Sequence, residues 1–148
     1  PIPRVKPQLT LSILLANEIA NNQLKVMELT QRSTVTIQGD NLFDSGSTSV
    51  SSAVMPLLQR IAESLNQLPG QVLITGHSDN QPIRSARYPS NWHLSKARAT
   101  SVAAVIKETL SDPERILIEG KSDLEPVDSN ATKEGRAKNR RVEITLLK

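Results

Sequence analysis

The sequence contains no cysteine, which excludes disulfides and thiolate metal sites and leaves its redox compartment open. Large aromatic rings are almost missing: among 148 residues only Phe43, Tyr88 and Trp92 supply them. A protein that reads unpaired bases needs stacking platforms, so this scarcity argues against a nucleic-acid partner. No run approaches the roughly 20 apolar residues that cross a bilayer, and no signal-peptide pattern is visible. The chain opens on proline, not methionine, so the expectation is a fragment whose membrane anchor lies upstream. Neither charge sign dominates, since 18 Lys and Arg face 15 Asp and Glu, a net +3. Mild basicity suits an anionic polymer such as cell wall, and equally an acidic membrane or a nucleic acid.

What is present suffices for one domain with a true core, because at this length about two-thirds of the unfolded surface is buried. Residues 1–8 hold three prolines and read as an extended linker. Residues 9–38 read as an N-terminal helix and hairpin. Leu11, Leu14, Leu15 and Ile19 share one side of a helix from Leu9 to about Asn21, and strands Leu24–Thr30 and Thr34–Gln38 follow. From residue 39 to 148, helical and strand-like periods alternate. A helix over Ala53–Leu68 tolerates Pro56 only in its first turn and is stopped by Pro69-Gly70. Val72–Gly76 is a short buried strand. Trp92–Leu110 is a helix capped by Ser90 or Asn91. Arg115–Gly120 is a strand, residues 121–131 are a loop, and Lys133–Asn139 is a short basic helix. In the last strand, Arg141–Leu147, Val142, Ile144 and Leu146 alternate with Glu143 and Thr145. No repeat is visible. This order implies an α/β (α+β) sandwich, with helices packed on a mixed sheet of four to five strands.

Three stretches carry the chemistry: Gly76-His77-Ser78-Asp79, then Asn91-Trp92-His93-Leu94-Ser95-Lys96-Ala97-Arg98, then Gly135-Arg136-Ala137-Lys138-Asn139-Arg140-Arg141. The first ends a buried strand and the second opens a helix. At about 100° per residue Arg98 falls within the stripe of Leu94, Ser101, Val102, Val105 and Ile106. A guanidinium there needs an acceptor, since an unpaired buried charge costs roughly 3–5 kcal/mol. Asp79 is the nearest in sequence. A carboxylate and an arginine at one cleft form a receptor for a zwitterion; a purely structural ion pair explains the residues as well. Arg140 shares parity with Val142 and Ile144 and should face the covered side of the sheet. Arg141, with Lys133 and Lys138, should be solvated. His77, His93 and Asp79 lack any zinc-ligand spacing, so no metal is expected. No phosphate-cradling loop or nucleophile elbow is present and Ser78 has no base, so no cofactor and no catalysis are expected.

With a fourth block, Asn41-Leu42-Phe43-Asp44-Ser45-Gly46-Ser47, residues 24–148 resemble the OmpA-like peptidoglycan-binding domain. The twelve-residue step from Asp79 to Asn91 is more similar to the MotB flagellar stator branch. It is closer still to the periplasmic extension of TssL in type VI secretion systems. The resemblance implies an OmpA-like fold and a non-catalytic site that clamps meso-diaminopimelate of the stem peptide. Asp79 would take the ammonium and Arg98 the carboxylate, which a planar guanidinium holds bidentately. Asn91 and Leu94 would flank the clamp, Leu94 through its backbone. Arg140, the first arginine of the family's Asn-Arg-Arg, would reach the pocket. Ser78 stands where threonine is usual and keeps the hydroxyl. Asp44 either contacts ligand or orders its loop, and Gly46 replaces an asparagine of some relatives. The implied partners are peptidoglycan and other secretion-complex subunits, with the membrane engaged only through an upstream segment. No nucleic acid is implied, and a homodimer is left open. The implied location is the periplasm, tethered to the inner membrane. The competing reading is an assembly domain of a secretion or stator-like complex, with the same fold and no wall binding.

Overall fold

The strand with the cleanest alternation takes the middle of the sheet. In the computed structural model, which describes residues 9–43, 47–82 and 88–148, β5 (Arg141–Leu147) lies between β2 (Arg32–Gln38) and β3 (Gln71–His77), antiparallel to both. The order is β1-β2-β5-β3-β4, with β1 (Lys25–Glu28) and β4 (Ile116–Gly120) at the edges. Only β3 and β4 run parallel among these pairs, because the long helix between them returns the chain to its starting end. Val35, Ile37, Val72, Ile74, Val142, Ile144 and Leu146 make one face largely apolar and buried. Two helices, α4 (Met55–Asn66) and α5 (Asn91–Thr109), cover that face with Leu58, Ile61, Leu65, Val102 and Ile106. The expected mixed sheet with packed helices is therefore present, with five strands.

Most element boundaries fall within a residue or two of the sequence reading. Pro56 sits in the first turn of α4, where its missing N–H costs nothing. The N-terminal helix differs: it is split into α1 (Leu11–Leu14) and α2 (Ala16–Ala20) at Leu15. There the carbonyl of Leu14 accepts 2.7 Å from Arg60 Nη2, and Glu18 accepts from Nε of the same arginine. A long-range guanidinium has replaced a local helical donor. The linker at 1–8 and the loop residues Asp44 and Gly46 lie outside the described residues.

Two short helices complete the chain, α3 (Gly39–Leu42) after β2 and α6 (Lys133–Asn139) before β5. Between β4 and α6 the loop 121–131 folds over the sheet's second face. Asn139, fully buried, pins it: Oδ1 accepts from the backbone of Val127 and Asp128, and Nδ2 donates to Asp128 O and Asn130 Oδ1. Beneath the loop lies Arg141, only 4% exposed, donating to Glu143 Oε2, Asn139 O and Glu125 O. The expectation that Arg141 is solvated was wrong. Strand parity put it on the second face correctly, but the end of that face where Arg141 stands is covered by the loop rather than open. Lys133 and Lys138 are exposed, as the sequence suggested.

Glu143 completes this cluster, with Oε1 3.1 Å from His77 Nε2. The histidine hydrogen bond, then the charges of His77 and Arg141, overcome burial and hold the carboxyl at about 2, against 4.5 for a free glutamate. A carboxylate held down in the fold stabilises it at every pH above the unfolded value. That contribution drains away as pH falls from about 4.5 towards about 2. By linkage it is worth up to about 3 kcal/mol. Glu143→Gln should therefore lower the urea midpoint at neutral pH and approach wild type in acid. A gap between the two proteins that is constant from pH 7 to pH 3 would contradict the assignment.

Candidate functional site

The site begins with two glycines. A Cβ on Gly76 would lie 2.0 Å from the carbonyl oxygen of Ser95, and one on Gly120 would lie 2.8 Å from Lys96 N. Bare backbone on β3 and β4 therefore lets the first turns of α5 sit directly against the sheet. Ser95 Oγ then accepts from Ser122 N, and Ser78 N donates to Ser122 O at 2.8 Å. The segment leaving β3 is thereby fixed beside the helix, and Asp79 emerges next to the start of α5.

Ser90 caps α5, accepting from His93 N, which frees the Asn91 side chain for another task. Asn91 Nδ2 donates to Gln81 O at 2.7 Å and, more weakly, to Asp79 O at 3.4 Å. Asn91 thus ties the helix to the loop after Asp79. Leu94 is buried and its N–H is already given to Ser90 O, so what it offers the cleft is shape, not a donor. Ser78 is buried and its hydroxyl donates to Asp79 O, so it positions the loop.

Asp79 is 8% exposed and both its oxygens are engaged. Oδ1 accepts from Gln81 N at 2.9 Å and Oδ2 from Arg140 Nη1 at 2.7 Å. The direct partner of Asp79 is thus Arg140, not Arg98. Arg140 also grips Asp40 with two bonds of 3.0 Å each, Nε to Oδ1 and Nη2 to Oδ2. It bridges two carboxylates, and all three nitrogens of its fork are occupied. The bonds from Arg140 hold the Asp40 carboxyl below its usual range, and Asp40 in turn pushes the Arg140 pKa up.

Arg98 is half-buried and lies within the field of Asp40, Asp79 and Arg140. Its Nε donates to Ser47 O at 3.1 Å, and its guanidinium carbon stands 5.0 Å from the centre of the Phe43 ring. Burial lowers its pKa, opposed mainly by the field of Asp40 and then of Asp79, while Arg140 adds to the lowering. Among the described residues no carboxylate is in hydrogen-bond contact with its two terminal nitrogens. The two arginines therefore differ among the described residues: Arg140 is neutralised at contact distance, and Arg98 only through space.

Asp40 is the residue that sequence reasoning missed. It stands 100 residues from Arg140, and the local signal is only an acidic residue two positions after a strand. The structure also gathers the chain's few rings in this region. Phe43 backs Arg98, the Tyr88 hydroxyl meets Thr48 Oγ1 at 2.7 Å, and Trp92 stands on the first turn of α5.

With this geometry in view, the similarities are informative. The model of the OmpA family matches residues 42–140. Motility protein B of Bacillus subtilis is 36% identical over 128 residues, covering 85% of this chain and 49% of that protein. The peptidoglycan-binding protein ArfA of Mycobacterium bovis is 36% identical over 109 residues, covering 73% of this chain and 32% of that one. The chain spans about half the length of the first curated relatives it matches. Among solved structures, the cell wall anchor of the T6SS from Pseudomonas aeruginosa superposes with a TM-score of 0.89. It is 53% identical, covering 93% of this chain and 96% of that one.

Proposed function

The chain belongs to the OmpA family, and on that footing we propose that it is a non-catalytic periplasmic module that grips the stem peptide of peptidoglycan. In this reading it anchors a membrane-embedded type VI secretion complex to the cell wall, tethered to the inner membrane by a segment before residue 9. The likeness to the T6SS cell wall anchor supports the assembly, and the likeness to a peptidoglycan-binding protein supports the ligand.

The observation that carries the proposal is the asymmetry between the two arginines. Arg140 fixes the Asp79 carboxylate in place without exhausting it. Two lone-pair sites are used, and an ionised carboxylate has about four. An ammonium can therefore still be accepted there. Arg98, partly desolvated and lacking a contact anion among the described residues, offers a fork to a carboxylate. Together they fit the ammonium and carboxylate on one tetrahedral carbon, as at the free end of meso-diaminopimelate. Asn91, Leu94 and Ser78 shape and hold the cleft around that head group.

This chemistry sets the specificity. A stem peptide with lysine in place of diaminopimelate keeps the ammonium and lacks the carboxylate, so Arg98 would stay unpaired. Losing two charge-assisted bonds of about 1.5–3 kcal/mol each predicts binding of the lysine tripeptide weaker by on the order of 100-fold or more. Titration of both peptides, followed by amide shifts at Ser78–Asn80 and Asn91–Arg98, measures this. Equal affinities would remove the zwitterion clamp. No binding of either peptide, with purified sacculi also ignored, would leave the assembly-domain reading in its place. Modest single-site affinity is compatible with anchoring, because many copies in one assembly act together.

A further inference from the structure

Trp92 is 45% exposed, although it is the chain's sole tryptophan and one of its three large rings. It follows Asn91 directly, on the first turn of α5, about 100° round the helix from it. Among the described residues, Lys96 Nζ stands 5.2 Å from the ring centre and the His93 ring meets it edge-on at 5.0 Å. Nothing in the clamp uses it. The Asp79, Arg98 and Arg140 interactions are complete without this side chain.

A lone exposed ring framed by a cation and an imidazole is unlike a protein-docking hot spot, which sits among other apolar side chains that exclude water. It suits a ligand with one apolar face and a polar rim. Sugars have that shape, because axial C–H groups line one face of a pyranose and hydroxyl and acetamido groups project from its edge. The electron-rich face of an indole attracts polarised C–H groups as it does cations. Placement agrees as well. Trp92 lies six residues before Arg98, about 9 Å along the helix axis and roughly a third of a turn round it. A stem of three residues spans about 10 Å along its backbone and the clamped side chain adds its own length, so a peptide whose end is held at Arg98 has the reach to bring its sugar round to the helix start.

Resting on the wall-binding reading above, we infer that Trp92 is a carbohydrate subsite. Its ring stacks on the apolar face of an N-acetylhexosamine of the glycan strand, and Lys96 donates to the acetamido oxygen. The clamp then reads the peptide and the tryptophan reads the sugar that carries it.

Because no other tryptophan is present, emission at position 92 reports directly on the subsite. The probes are a disaccharide tripeptide containing diaminopimelate, the same tripeptide without sugars, and peptide-free glycan chains. The disaccharide form should shift the emission and bind roughly tenfold tighter than the bare tripeptide, as expected for one stacked ring. In calorimetry, Trp92→Ala should bring the disaccharide form down to the level of the bare tripeptide and leave the latter unchanged; Trp92→Phe should keep part of the gain. Equal wild-type affinity for the two peptide ligands overturns the subsite. So does a Trp92→Ala variant that weakens both alike, or that binds the disaccharide form as tightly as wild type. If the bare tripeptide fails to bind while glycan chains still move the emission, the clamp is wrong and the sugar subsite stands. If neither registers, both readings fall.

Discussion

An Arg98→Ala variant is expected to melt like wild type and yet to pass unretained through purified sacculi that contain diaminopimelate. Stability should survive because this guanidinium contributes little to the fold. It gives one hydrogen bond to Ser47 O and lies over Phe43, while burial works against its charge. Removing a partly desolvated cation that lacks a contact anion among the described residues relieves a cost, which offsets the lost contacts. Binding should collapse because the ligand carboxylate loses a bidentate partner. Two charge-assisted bonds of about 1.5–3 kcal/mol each imply a weakening on the order of 100-fold or more. Arg98→Lys should restore only a small part of this, since an ammonium is a point charge without the fork. The informative contrast is Asp40→Ala. Asp40 grips Arg140 and is assigned no ligand contact in the clamp, so its loss should loosen Arg140 and cost stability while weakening binding far less. Sacculus retention, muropeptide titration and a thermal melt on the three variants separate these effects. Undiminished retention of Arg98→Ala would end the proposed role of that residue.

Gly76→Ala is expected to damage both fold and binding through a single methyl group. Its Cβ would meet Ser95 O at 2.0 Å, Ser95 C at 2.8 Å and Ser95 Cα at 3.3 Å. All three are backbone atoms inside a 19-residue helix, so no side-chain rotation can relieve the clash. The helix must move away from β3 and lose packing along Ala99, Val102 and Ile106. Overpacking of this kind costs about 1–3 kcal/mol, and a contact with rigid backbone belongs at the upper end. For a domain of this size that lowers the melting temperature by roughly 10 °C. The same shift separates Asp79, which leaves β3, from Asn91 and Arg98, which ride on α5. Affinity for the muropeptide should therefore fall even in the fraction that remains folded. A Gly76→Ala protein with an unchanged midpoint would show that helix and sheet are not in the close contact described here.

The residues that turned out differently from their sequence reading share one cause. Arg141 was assigned to the correct face of its strand, because the alternation with Val142 and Ile144 fixes that parity. Whether the face is wet depends on the loop 121–131, whose course is set by Asn139 contacts that no local pattern encodes. The break at Leu15 likewise comes from Arg60, a residue 46 positions away from Leu14. Asp40 escaped notice because its partner stands at the far end of the chain, and the same distance hid the pairing of Asp79 with Arg140.

Local order was therefore written in the chain itself: strands from a period of two, helices from a period of 3.6, a cap at Ser90 or Asn91, a stop at Pro69-Gly70. So were the chemical types at the cleft, since an aspartate after a buried strand and an arginine on an apolar helix stripe are visible without coordinates. Which cation meets which carboxylate was decided only by the tertiary structure. Charge pairing depends on distances of a few ångströms between segments far apart in sequence, and those distances exist only after the sheet has closed around β5. That closure left Arg140 bound to both acids and Arg98 facing the cleft.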